Sequence, residues 1–178
     1  MVSEACAYET ARLRVSEWHS ASGRYAQPTL EDAVLSVVTE SVTRTLPEGW
    51  QGEFTLERAS NWIAERDDEG IILLVREKSS NSAIGLVILH EDPSGVGTLI
   101  DIQLGYMLAE SAWGKGLASE LVAGFVDWCL QSHRIHSVVG GVAPDNAASI
   151  QVLVKNGFEP AQDPLEGPDA EEFYELRL

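Results

Sequence analysis

The stretch Tyr106-Met-Leu-Ala-Glu-Ser-Ala-Trp-Gly-Lys-Gly-Leu-Ala-Ser-Glu120 takes an apolar strand into a tight glycine-containing loop and then directly into an amphipathic helix. Gly114 and Gly116 bracket Lys115, so the backbone can turn sharply and a ligand can reach main-chain N–H groups without meeting a Cβ. From Gly116, Leu117, Leu121, Phe125 and Cys129 recur at four-residue spacing, with Val122, Val126 and Trp128 widening the stripe, which predicts a helix to about His133. A helix opening at the glycines points its first unpaired amides and the positive end of its dipole into the loop, a setting that favours a phosphate. A connection that uses glycine only to turn is the alternative. Two familiar phosphate loops are excluded. No Gly-Lys-Ser/Thr ends the segment, as a P-loop requires, and it lacks the three glycines and later acidic residue of a dinucleotide fingerprint.

The other elements read as support. Thr10 to Trp18 alternates, with Leu13, Val15 and Trp18 apolar, and predicts a strand. Thr29 reads as the N-cap of a helix that carries Ala33, Val34, Val37 and Val38 on one face and ends before Pro47. The loop Leu46-Pro-Glu-Gly-Trp50-Gln-Gly holds an aromatic ring with no obvious core partner. A second helix runs from Thr55 to Arg66, broken by Asp67-Asp-Glu-Gly70. Ile71–Val75, Ala83–His90 and Thr98–Leu108 then read as antiparallel strands turned at Ser79–Ser82 and Asp92-Pro-Ser-Gly95. Ser137–Val142, after the long helix, suits a strand parallel to the one before it, joined by a crossover helix. Asn146–Asn156 reads as a helix capped by Gly157, and Phe173–Leu178 as a last strand.

Trp113-Gly-Lys-Gly116-Leu-Ala118 resembles the coenzyme A loop of the GNAT N-acetyltransferase superfamily, Arg/Gln-x-x-Gly-x-Gly/Ala, with Trp113 in the first position. Preceded by Gly105-Tyr106, this form is similar to the branch of the ribosomal-protein N-terminal acetyltransferases, and a second match follows in Asn146-Ala-Ala-Ser149-Ile-Gln-Val-Leu-Val-Lys155-Asn-Gly157-Phe158. The resemblance implies an α/β fold with a mixed, mainly antiparallel sheet, a splayed parallel strand pair and about four flanking helices. It implies acetyl-CoA as co-substrate. The pantetheine arm would be held by main-chain groups of Tyr106, Met107 and Leu108, the pyrophosphate by Trp113, Gly114, Lys115, Gly116, Leu117 and Ala118, and Asn146 would bond the arm or serve only as a helix N-cap.

Acetyl transfer needs a neutral amine and a proton donor for the departing thiolate. Where many relatives place a donor Tyr stands Leu153, and Ser149, one turn earlier, is the substitute in the resembling branch, unless its hydroxyl only bonds back to a helix carbonyl. Gln103 stands where the family often has a Glu base, on the side of the acceptor substrate; Asp101, on the same strand face, is the carboxylate available to act through water, unless it is only an exposed strand carboxylate. Trp18, Trp50 and Trp62 lie in the half of the chain that lines the acceptor site in similar proteins, and Trp50 is the acceptor-site candidate. Without the usual base, an amine of low pKa is the easier acceptor: a small molecule or a peptide N-terminus. A polyamine or aminoglycoside acetyltransferase, and a catalytically silent acyl-CoA-binding module, stay open.

The chain's 178 residues, 44% hydrophobic, suffice for one core and predict a single domain over 1–178. A net charge of −16 argues against nucleic acid as a partner. Neither a long apolar span nor an export signal is seen, so no membrane is expected and a cytoplasmic location is the default. His19, His90, His133 and His136 show no metal-ligand spacing, so no metal is expected. The chain is expected to be a monomer or a homodimer.

Overall fold

Among the described residues the alternating and apolar runs form eight strands: β1 Tyr8–Glu9, β2 Leu13–Glu17, β3 Ile71–Glu77, β4 Ala83–Asp92, β5 Ile100–Leu108, β6 Ile135–Val142, β7 Glu159–Pro160 and β8 Glu172–Arg177. Six α-helices accompany them: α1 Trp18–Ser22, α2 Leu30–Val37, α3 Glu40–Thr43, α4 Leu56–Glu69, α5 Leu117–Ser132 and α6 Ala147–Lys155. This computed structural model describes residues 6–22, 28–44, 46, 48–92, 99–161 and 172–178. The sheet order is β1-β2-β3-β4-β5-β6-β8-β7, mainly antiparallel, with β5 and β6 the parallel pair. The mixed α/β class is the expected one, and the helices beyond the expected four are the one-turn segments α1 and α3. The residues gather into two compact units, Met1–Ile88 with Tyr106–Leu117, and Leu89–Gly105 with Ala118–Leu178.

In the first unit the core lies between one face of the strands and the helices α2 and α4, with Trp18, Val34, Val37, Trp62, Ile72, Leu74, Leu86 and Met107 in one buried cluster. Thr29 caps α2 through a full capping box: Asp32 N–H donates to Thr29 Oγ1 at 3.2 Å and Thr29 N–H to Asp32 Oδ2 at 3.0 Å. The single helix expected from Thr29 onward is two. Three β-branched residues in a row, Val37-Val38-Thr39, weaken helix propensity, and Thr39 turns extended to start α3. The helical stretch ends at Thr43, ahead of Pro47 as expected.

Two further expectations fail together. Trp18 does not end a strand; it opens α1 with its ring fully buried, and its indole N–H donates to Asp67 Oδ1 at 2.9 Å. Asp67 also meets His19 Nε2 at 2.9 Å, so its carboxylate is occupied and does not compete for local backbone. Hence α4 runs on through Asp67 and Asp68 to Glu69, stopping at Gly70. The Trp50 ring, for which the sequence offers no partner, lies edge-on to Trp62 at 5.3 Å, and Trp18 and Phe54 approach Trp62 at 6.2 and 6.1 Å. Each such aromatic pair contributes roughly 0.5–1.5 kcal/mol beyond area burial. The buried Arg66 places its guanidinium 4.7 Å from the Trp50 ring.

In the second unit β6 pairs with β8 along its whole length, from Ser137↔Arg177 to Val142↔Glu172. The predicted α5 stripe is buried at Leu121, Val122, Phe125 and Cys129. Helix α6 ends on Gly157 at φ +88°, with Phe158 N–H bonded to Leu153 O and Gly157 N–H to Val154 O, both at 3.1 Å, which satisfies two carbonyls that the helix leaves open. The turn expected at Asp92-Pro-Ser-Gly95 and the strand start at Thr98 fall on residues outside those described, apart from Asp92 itself.

Both cysteines are buried, and burial pushes the Cys6 thiol up to about 12. Thiolate is the reactive form. Neither cysteine is therefore expected to react with a disulfide reagent in the folded protein, and both should titrate once it is denatured; a rapidly reacting thiol in the native state would contradict the packing.

Candidate active site

Strand β5 ends at Leu108, a short 3₁₀ turn covers Glu110–Ala112, and the chain turns through residues 113–116 before α5 begins at Leu117. Gly114 and Gly116 both take positive φ, +69° and +74°, which a side chain rarely tolerates. Among the described residues a Cβ on Gly114 would meet nothing within 4 Å, and one on Gly116 only Arg12 Nη2 at 3.8 Å. The loop is therefore bare on its outer side. Arg12 Nη1 donates to the Lys115 carbonyl at 3.0 Å, so a guanidinium from 103 residues upstream stands at the loop. No local pattern around Arg12 announces this.

Trp113 is half exposed, and its indole N–H donates to the Leu108 carbonyl at 2.7 Å, tying the loop to the strand end. One of the main-chain acceptors assigned to a pantetheine arm is thus already engaged. Met107 and Leu108 are buried and Tyr106 half-buried, while Leu117 is buried and Ala118, next in α5, half-buried.

In the second unit, register pairing of β5 with β6 stops at Gln103↔Val139, although β5 continues to Leu108 and β6 to Val142. Gln103 is exposed at the last paired step. Asp101 is not a free surface carboxylate: Oδ1 accepts from Ser137 Oγ at 2.8 Å and lies 3.0 Å from His136 Nδ1. His136 and Ser137 enter the site only through the structure. Asn146 caps α6, its Oδ1 accepting Ser149 N–H at 3.2 Å. Ser149 is half-buried, and no bond from its hydroxyl to a helix carbonyl is formed. Leu153 faces the core. Trp50 lies in the first unit, on Trp62. Among the described residues no three His, Cys, Asp or Glu side chains are grouped to hold a metal, and no helix is long and apolar enough to cross a membrane.

The fold is that of the GNAT acetyltransferases. It matches an acetyltransferase of that family from Bacillus anthracis with a TM-score of 0.70 at 18% identity, over 95% of each chain, and the ribosomal-protein-S5-alanine acetyltransferase of Vibrio fischeri with 0.63 at 19%, over 96% of each. The chain belongs to the acetyltransferase (GNAT) domain family, whose pattern matches residues 24–159. YjcK of Bacillus subtilis, named a probable N-acetyltransferase, is 37% identical over 80 residues, 45% of this chain and 43% of that protein. The uncharacterized N-acetyltransferase p20 of Bacillus licheniformis is 32% identical over 82 residues, 41% of this chain and 46% of that protein. The matched stretch thus spans less than half of either curated relative.

Proposed function

We propose that the protein transfers the acetyl group of acetyl-CoA to a primary amine, either a peptide or protein N-terminus or a small amine of similarly low pKa. The observation that carries this reading is the 113–116 loop: two glycines at positive φ with open space where side chains would stand, at the head of the sixteen-residue helix α5. Unobstructed amides, a positive helix end, Lys115 and the Arg12 guanidinium together suit a diphosphate. The cradle fits because a Cβ would fill the space the ligand needs. Asn146 spends Oδ1 on the helix cap, which leaves Nδ2 to donate to an amide carbonyl of the pantetheine arm.

In the reaction the amine nitrogen attacks the thioester carbonyl carbon, the C–S bond breaks, the amine loses a proton and the thiolate gains one. Ser149 is suited to supply the second proton because its hydroxyl is not spent on a helix carbonyl. Ser149→Ala is expected to lower kcat by roughly 10²-fold while leaving acetyl-CoA affinity nearly unchanged, as for a group acting mainly in the transition state. Wild-type kcat in that variant, on the best acceptor, would return Ser149 to a structural role.

The whole reading is tested by thiol release from acetyl-CoA in the presence of peptides, polyamines and aminoglycosides. Release with an α-amine peptide supports it. Binding of acetyl-CoA without release in any mixture would instead support a silent acyl-CoA module.

A further inference from the structure

We infer that His136 takes up the proton that the acceptor amine must lose, and that Asp101 is a positioning residue that fixes the imidazole for this task. The inference rests on the amine-acetylating reading above.

It starts from a register slip. Ile100 pairs with Ile135 but Asp101 pairs with Ser137, so His136 is an extra residue on β6 with no partner position on β5. Such a bulge re-aims side chains that strict alternation would send to opposite faces. Here it brings His136 and Ser137 onto one carboxylate oxygen, Asp101 Oδ1, at 3.0 and 2.8 Å. An ionised carboxylate only accepts, so in the neutral ring the hydrogen sits on Nδ1 and the lone pair on Nε2. The imidazole is oriented as a base. His136 keeps 34% of its side chain exposed and Asp101 26%, so the ring is supported yet reachable.

Pairing of β5 with β6 ends at Gln103↔Val139, two residues beyond Asp101 and three beyond His136. Three residues of strand advance roughly 10 Å, a distance that the imidazole together with a bridging water spans. The charged groups around the ring come from several elements. Asp101 faces it from β5. On β8, Arg177 stands opposite Ser137 and is bonded to Glu175 at 3.2 Å. Arg177 is held above its ordinary range, first by that bond to Glu175 and least by the charge of Asp101. Arg134 precedes β6 and is exposed, and α6 carries only Lys155, exposed in its last turn.

In the step itself an ammonium proton passes to Nε2, directly or through one water. The freed lone pair attacks the thioester carbon, the C–S bond breaks, the thiolate takes its proton from Ser149, the second proton lost by the amine nitrogen restores the Ser149 hydroxyl through water, and the imidazolium releases its own proton to solvent. Asp101 holds Nδ1–H throughout.

The test is the pH dependence of kcat/KM for wild type, His136→Gln and Asp101→Asn with acetyl-CoA and one peptide acceptor, together with nitrogen NMR of the imidazole. Wild type is expected to show an ascending limb set by the base. In His136→Gln that limb disappears, kcat falls roughly 10²- to 10⁴-fold, and the acetyl-CoA-induced melting shift remains. In Asp101→Asn the new amide can donate to Nδ1 and move the ring hydrogen to Nε2, so activity falls and NMR reports the exchanged tautomer. An active His136→Gln enzyme with the wild-type profile overturns the inference, as does an Nε2–H tautomer in the wild type; the NMR arm and Asp101→Asn decide the matter should His136→Gln not fold. A wild-type protein that binds acetyl-CoA and acetylates no amine overturns the parent reading and this one with it.

Discussion

Gly116→Val is expected to abolish the rise in melting temperature that acetyl-CoA gives the wild-type protein. At φ +74° a β-branched residue is a conformational outlier, so the variant either strains the loop or moves it. Among the described residues, the one atom within 4 Å of a Cβ at this position is Arg12 Nη2 at 3.8 Å. Valine therefore does little to crowd the protein. Its methyl groups occupy the bare side of the loop, where a diphosphate would approach. A ligand at a hundred times its Kd stabilises by about 2.7 kcal/mol, which for a chain of this length is a shift of roughly 5–10 °C. That shift should vanish, while the unliganded melting temperature falls by the smaller amount that roughly 1–2 kcal/mol of strain implies. The unliganded melting temperature of the variant separates the two causes: strain lowers it, whereas a side chain in the ligand's place removes the difference between the liganded and unliganded values. A folded Gly116→Val protein with the full ligand shift would remove the loop from the site.

What was legible in the chain is what is local. The four-residue stripe of α5, the glycines before it, the cap at Thr29 and the stop at Gly157 are each written within about one helical turn, and each is present. What depends on distant partners was not legible. Trp18 opens a helix because Asp67, 49 residues on, receives its indole N–H, and the same bond lets α4 run through two aspartates. Arg12 reaches Lys115 across 103 residues. The two-residue strands β1 and β7 are too short for any period to show. His136 is hidden differently: alternation assigns it to the face opposite Ser137, and only the bulge brings both to Asp101. A reading by residue type finds a glutamine at 103 and concludes that a base is missing; the geometry supplies a histidine from the neighbouring strand.

The last expectation concerns the acceptor, and it survives a change in the base. An α-amine, with pKa near about 7.8, is roughly a tenth neutral at pH 7, whereas a lysine- or polyamine-type amine near about 10.4 is neutral about once in two or three thousand. The difference is about 3.5 kcal/mol. If the amine is captured already neutral, the whole of it falls on the second class, and kcat/KM climbs with the acceptor's own ionisation. With His136 as the base, both kinds of ammonium give their proton to the same acceptor, and the same gap between them remains. Only the shape of the pH profile distinguishes the two cases. Peptides should therefore outrun polyamines at pH 7 by roughly two orders of magnitude in kcat/KM where binding is comparable. The acidic surface, at a net charge of −16, works against this ranking by drawing polycations, an effect that added salt screens. The comparison is accordingly made at several ionic strengths. A polyamine that still reacts faster than every peptide at pH 7 in high salt would mean that the enzyme desolvates its amine or holds a stronger base than His136, and the α-amine assignment would be withdrawn.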